Sequence, residues 1–191
     1  KERSFLPRNQ FKGSVEFKDV TFTYPGQQEP VLQNVSFRVE PGERVAILGH
    51  VGSGKTTIGR LIAGLYEADS GTVLVDGVDI RQIAPSDLRE NLGISTQDVW
   101  LMSTSIEENI SLGAVDATAD QVLWAGDLAG VSEFANRHPD GYKLKLKERG
   151  ESLSGGQRQA ISLARALVRK PPVLILDRSE EHTSELQSQF R

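Results

Sequence analysis

The chain has 191 residues, 38% hydrophobic and 25% charged, which gives one domain with a sizeable core and the profile of a folded globular protein. A formal net charge of −4 provides no basic field to recruit nucleic acid, and the absence of cysteine excludes a disulfide framework, a thiolate metal site and a cysteine nucleophile. The longest apolar runs, Val45–Leu48 and Val173–Leu176, fall far short of the ~20 residues that span a bilayer, so any membrane connection is expected through a partner or a further part of the chain.

Residues 1–13 are charged, patternless and contain a proline; they read as a linker from an upstream domain. Val15, Phe17, Val20 and Phe22 roughly alternate, as do Val35, Phe37 and Val39, predicting two half-buried strands around the turn Tyr24-Pro25-Gly26. The apolar, branched run Val45–Leu48 predicts a strand buried on both faces, as in a parallel sheet. A Gly-rich loop follows, then a helix to about Leu65 with Ile58, Leu61, Ile62 and Leu65 on one face. Thr72–Val75 is a short strand before the Asp76-Gly77 turn, and Ile80–Leu92 reads as a connector with a short helix. Gly93–Ser95 predicts another strand.

Between Gln97 and Arg149 the character becomes helical, with Thr104-x-x-Glu107 and Thr118-x-x-Gln121 both fitting the capping-box pattern. Trp100 and Trp124 read as packing residues of this block, His50 and His138 as ordinary loop residues. Leu153–Gly156 opens a second long helix, and the apolar strand Val173–Leu176 ends in Asp177. The order of strands and helices implies an α/β protein with a parallel sheet and a helical insertion.

Gly49-His50-Val51-Gly52-Ser53-Gly54-Lys55-Thr56 satisfies G-x-x-x-x-G-K-S/T. Glycines let successive backbone N–H groups turn inward around phosphates, and the helix that follows aims its positive end at the same charge. Lys55 would reach the β- and γ-phosphates, and the Thr56 hydroxyl would ligate Mg²⁺. Alone, the loop leaves a transporter ATPase, a GTPase and a small-molecule kinase open.

Leu153-Ser154-Gly155-Gly156-Gln157 is a second candidate anion site, with a hydroxyl and glycine amides at a helix start; the alternative is an ordinary serine cap. Asp177, at a strand end, offers a carboxylate for Mg²⁺ or simply caps the strand. With this signature the chain resembles the ABC ATPase family from about Gly13 to Asp177. The resemblance implies a P-loop NTPase (RecA-like) α/β fold, with a parallel sheet core over 14–97 and about 157–177. It also implies an N-terminal antiparallel β region and a helical subdomain over about 98–156. ATP and Mg²⁺ are the cofactors it implies. Site residues follow by match: Tyr24 as the aromatic that stacks on adenine (or else a core or turn tyrosine); Gly49, Gly52, Ser53, Gly54, Lys55, Thr56 and Thr57 for the phosphates; Ser154, Gly155, Gly156 and Gln157 for the nucleotide of a second copy. Thr56, Gln97 and Asp177 are implied as the metal contacts, with Gln97 and Asp177 serving catalysis.

The family's signature cannot fold back onto its own phosphate loop, so a head-to-tail dimer is implied, with transmembrane domains as the other partner, no nucleic acid, and a place on the cytoplasmic face of the plasma (inner) membrane. The surrounding residues look like exporters with fused membrane and ATPase domains, type I protein-secretion ATPases being the nearest likeness. Glu148-Arg149-Gly150 looks like the exporter segment that meets the transmembrane partner, or a solvated charged turn. A soluble ABC ATPase and a non-catalytic nucleotide-binding module are the competing functions; hydrophobic spans upstream would favour the transporter.

The chain departs from the family after Asp177. Arg178 stands where the general-base glutamate belongs, and the switch histidine is absent; His182 matches no motif. The tail RSEEHTSELQS resembles a translated sequencing-library adapter, so 178–191 is expected to be non-native and the domain C-terminally truncated. Hydrolysis deficiency and an exposed apolar sheet edge are the expectations that follow.

Overall fold

A computed structural model describes residues 11–114 and 116–177. Two compact units divide them, one holding 11–93 and 169–175, the other 94–168 and 176–177. The linker reading of 1–10, Arg178 and the adapter-like tail lie outside the described residues.

The first unit is built on an antiparallel sheet of Val15–Phe22 (β1), Leu32–Val39 (β2), Ser70–Val75 (β3) and Val78–Asp79 (β4), in the order β2-β1-β3-β4. Val15, Phe17, Val20 and Phe22 are all buried although their spacing changes parity. A register shift between Phe17 and Val20, with Asp19 at φ 48°, absorbs the extra residue and returns all four side chains to one face. Phe17 stacks on Phe37 across the strands at 4.6 Å. Helix α1, Lys55–Ile62, lays Ile58, Leu61 and Ile62 into this core beside Ile83 and Leu88, the latter from helix α2, Pro85–Glu90.

Packing starts before the expected linker boundary. Phe11 is buried, and the N–H groups of Lys12, Gly13 and Ser14 donate to the Asp76 carboxylate at 2.7, 3.0 and 2.8 Å. Burial pushes the Asp76 pKa up, but these amides and the Ser14 hydroxyl outweigh it and hold the group below its ordinary value. The stabilisation is therefore complete above the unfolded carboxylate pKa of about 3.9 and is lost as pH falls below it, through the lower folded value. Urea midpoints at pH 7 and pH 3 should show a smaller gap for Asp76→Asn than for the native chain, with most of the loss already present at pH 7; an unchanged gap would contradict this role.

The run Val45–Leu48 is a correction. It forms no strand, and Val45, Ile47 and Leu48 are 51, 44 and 87% exposed. A strand needs a hydrogen-bonding neighbour, and among the described residues none pairs with this run. Strands Leu92–Ser95 (β5) and Val173–Leu176 (β6) form a separate two-stranded sheet, and β6 leaves Leu174 and Leu176 exposed rather than buried.

The second unit is helical: Ile106–Ser111 (α3), Ala119–Leu128 (α4), Ser132–Ala135 (α5) and Gly155–Leu167 (α6) surround a core of Leu101, Ile106, Ile110, Ala125, Val131 and Ile161. Residues 157–167, expected with the sheet, pack here through Ile161 and Ala164. The capping box of α4 uses Thr118 and Gln121 as expected, but that of α3 uses Ser105 and Glu108. Starting one residue later turns Ile106, Asn109 and Ile110 inward together, and Thr104 accepts instead from the Asn109 amide at 3.1 Å. Arg165 donates to the Asn109 backbone and side-chain oxygens and to the Trp100 carbonyl, which gives the half-buried cation three acceptors. Trp100 and Trp124 are 59 and 38% exposed, so neither is a core residue; the Arg149 guanidinium covers the Trp100 ring at 4.7 Å. No helix of the described residues is long and apolar enough to cross a membrane.

Candidate nucleotide-binding site

Each unit carries one of the two glycine-bearing helix starts. In the first, the loop 49–54 runs into α1 through Gly54 at φ 89°. A Cβ there would meet Leu32 Cδ2 at 2.6 Å, so both the left-handed backbone and the close approach to β2 demand glycine. No side chain caps α1 and no acidic residue stands in its first turn, so the positive end of the helix carries no neighbouring carboxylate. Lys55 Nζ donates to the carbonyls of Gly49 and of His50, the latter at 2.8 Å, which draws the loop around the ammonium. Ser53 closes the turn, its N–H donating to the His50 carbonyl at 3.1 Å. Thr56 is exposed at the mouth, while Thr57 is 3% exposed and its hydroxyl lies 3.0 Å from that of Tyr24. Unit one thus brings Tyr24, the loop glycines, Ser53, Lys55, Thr56 and Thr57 together.

In the second unit Ser154 caps α6. Its Oγ accepts from the Gln157 N–H at 3.2 Å and its own N–H donates to Gln157 Oε1 at 2.9 Å. Gln157, expected at the nucleotide, therefore has its amide oxygen engaged in the cap, while the Ser154 hydroxyl retains a proton to donate. Gly155 and Gly156 are exposed, adopt ordinary helical backbone, and a Cβ at either would meet nothing closer than 3.9 Å. Two glycines in a helix are destabilising relative to alanine, and nothing in the fold requires them. Room for something approaching from outside is the remaining physical reason. Ser95 gathers the other candidates of this unit: its carbonyl accepts from the Asp177 N–H at 2.9 Å, and its hydroxyl meets Ser162 and Gln159 of α6 at 3.2 Å each. Gln97 is exposed two residues beyond. Sequence reasoning missed Ser95 and Gln159, as well as Arg60, which donates to the Tyr24 hydroxyl at 3.1 Å. Only Arg60 left a signal, one helical turn from Thr57.

Each unit by itself has chemistry that suits part of a magnesium nucleotide: in the first, a helix start, an ammonium and the Thr56 hydroxyl; in the second, the oxygens of Gln97 and Asp177, donors of the kind a hard cation takes. Compared with known protein families, residues 32–180 match the family described as ABC transporter. The chain belongs to the ABC transporter family. Among the relatives of this ABC transporter ATPase domain, an ATP-dependent lipid A-core flippase of Haemophilus influenzae is 43% identical over 179 residues, covering 93% of the chain and 30% of the flippase. The ABC transporter ATP-binding protein YfiB of Bacillus subtilis is 44% identical over 171 residues, 90% of the chain and 30% of that protein. A bacterial Atm1-family ABC exporter solved with ATP bound matches at TM-score 0.84 and 37% identity, over 97% of the chain and 32% of the exporter. The ABC ATPase chain thus spans about 30% of the length of the curated relatives it matches. Its fold is mixed α/β with an antiparallel N-terminal sheet, as the signature implied.

Proposed function

We propose that residues 14–177 are the ATP-binding motor domain of an ABC exporter, in which Mg-ATP joins two copies head to tail. The observation that supports this is the pair of helix starts. One, behind Gly49–Thr56, has no side-chain cap and no acidic residue in its first turn; the other is capped by Ser154 with Gly155 and Gly156 open to approach. The Lys55 ammonium and the amides of α1 grip the triphosphate from one side. The Ser154 hydroxyl and the glycine amides of a second copy reach the terminal phosphate from the other. Mg²⁺, held through Thr56, Gln97 and Asp177, would neutralise charge on the phosphate oxygens. Tyr24 supplies the ring for adenine. Residues 1–13 lead from a transmembrane domain at the cytoplasmic face of the membrane, and pairing and release of the motor domains drive export. The reported relatives carry flippase and exporter names, so we do not carry the protein-secretion likeness further.

Arg178 cannot accept a proton from an attacking water or orient it, so this chain binds Mg-ATP without turning it over. Sedimentation velocity of the purified chain, with phosphate release followed in the same samples, tests both halves. Mg-ATP should convert monomer to dimer while phosphate release stays at background. Failure to pair would sink the motor reading, and steady release abolished by Lys55→Ala would sink the claim of inactivity.

A further inference from the structure

Tyr24 is more firmly held than an aromatic awaiting a base needs to be. Its backbone is fixed by a turn, the Gln27 N–H donating to its carbonyl at 3.0 Å, and by the preceding Thr23 N–H, which donates to Asp69 Oδ2 at 2.7 Å. Its ring meets Phe22 and Tyr66 near perpendicular, at 4.9 and 5.2 Å between centroids. Its hydroxyl shares a hydrogen bond with Thr57 and accepts one from Arg60, both on α1 and one turn apart.

Thr57 is the informative member. It directly follows Lys55 and Thr56, yet it is 3% exposed and its hydroxyl is directed to Tyr24. Three consecutive residues at one helix start therefore differ: Lys55 turns its ammonium to the loop carbonyls, Thr56 is exposed, and Thr57 faces the tyrosine. We infer that Thr57 and Arg60 are positioning residues for Tyr24, tying the base platform to the helix whose first turn grips the phosphates, so that a nucleotide finds both ends of its site already in register. This rests on the nucleotide-binding reading above. A prepositioned platform reduces the ordering cost of binding, and the gain goes only to ligands that carry a base.

The experiment compares Mg-ATP with magnesium tripolyphosphate, which has the phosphates and no base, by titration calorimetry on the native chain and on Tyr24→Phe, Thr57→Val and Thr57→Ser. One neutral hydrogen bond implies about a five-fold loss of ATP affinity for Thr57→Val, and Tyr24→Phe, which also removes the bond from Arg60, should lose at least as much, with tripolyphosphate affinity held within about two-fold for both. Thr57→Ser keeps the hydroxyl and should bind ATP as the native chain does. The Tyr24→Phe/Thr57→Val double variant should be no weaker than Tyr24→Phe alone, because that change already removes the bond that Thr57→Val removes. A purely structural role would lower the melting temperature and leave the ratio of ATP to tripolyphosphate affinity unmoved, which would overturn the inference. Equal loss of both ligands in Thr57→Val would also overturn it, by placing that hydroxyl at the phosphates. A native chain that binds neither ligand would overturn the nucleotide-binding reading itself, and this positioning role with it.

Discussion

Lys55→Ala is expected to weaken Mg-ATP binding by about 100-fold or more and to weaken tripolyphosphate by the same factor, because the ammonium acts on phosphate and not on the base. The structure makes the change a double one. Lys55 Nζ also donates to the carbonyls of Gly49 and His50, so alanine removes the charge and loosens the loop that the charge gathers. Lys55→Met separates little of this, whereas Lys55→Arg keeps a cation whose planar fork cannot sit between two converging carbonyls as an ammonium does. All three variants should melt within about 4 °C of the native chain, since the hydrogen bonds from Nζ to the loop are partly open to water, which replaces them at small cost. Calorimetric titration with both ligands, beside a thermal melt, makes the check; native-like ATP affinity in Lys55→Ala would remove the phosphate loop from the site. Loss confined to ATP, with tripolyphosphate intact, would be the signature expected of Tyr24 and not of Lys55.

Gly155→Ala and Gly156→Ala should move stability and function in opposite directions. Each adds a methyl to a helix start where a Cβ has open space and the backbone is already helical, which stabilises by about 0.5–1 kcal/mol and raises the melting temperature by about 2–4 °C. In the proposed head-to-tail pair the same methyl would stand where the terminal phosphate of the other copy's nucleotide approaches Ser154, and Mg-ATP-dependent dimerisation should fall at least about ten-fold. Mg-ATP binding to the monomer, which uses Lys55 and α1, should stay as in the native chain. A variant that is both more stable and fully able to pair would show that these glycines serve no ligand. A variant that is less stable would show that the fold needs them after all.

Much of this site was legible in the residues because its chemistry is local. A phosphate loop needs glycines, a lysine and a hydroxyl in fixed order at one helix start, and Gly49–Thr56 has them consecutively. The serine cap at 154 and the capping box at 118 were equally readable, since each is closed within four residues. What escaped depends on partners far along the chain. Val45–Leu48 has the composition of a buried strand, but composition supplies no hydrogen-bonding neighbour, and the run lies exposed. The start of α3 was ambiguous because Thr104-x-x-Glu107 and Ser105-x-x-Glu108 satisfy one pattern; only the burial of Ile106, Asn109 and Ile110 selects the second. The anchoring of Lys12 and Ser14 was not legible because their partner, Asp76, lies 60-odd residues on. Trp100 reads from the sequence as a packing residue of the helical block, whereas it is 59% exposed, its ring is covered by Arg149, and its carbonyl is tied by Arg165.

Whether two incomplete chains make one complete site can be read directly by sedimentation velocity on an equimolar mixture of Lys55→Ala and Ser154→Arg chains with Mg-ATP. Each variant alone should remain monomeric. The mixture should form a heterodimer, because the intact phosphate loop of one chain then meets the intact serine tip of the other. A mixture that stays monomeric while the native chain dimerises, or either variant pairing by itself, would contradict a nucleotide held between Lys55 of one copy and Ser154 of its partner.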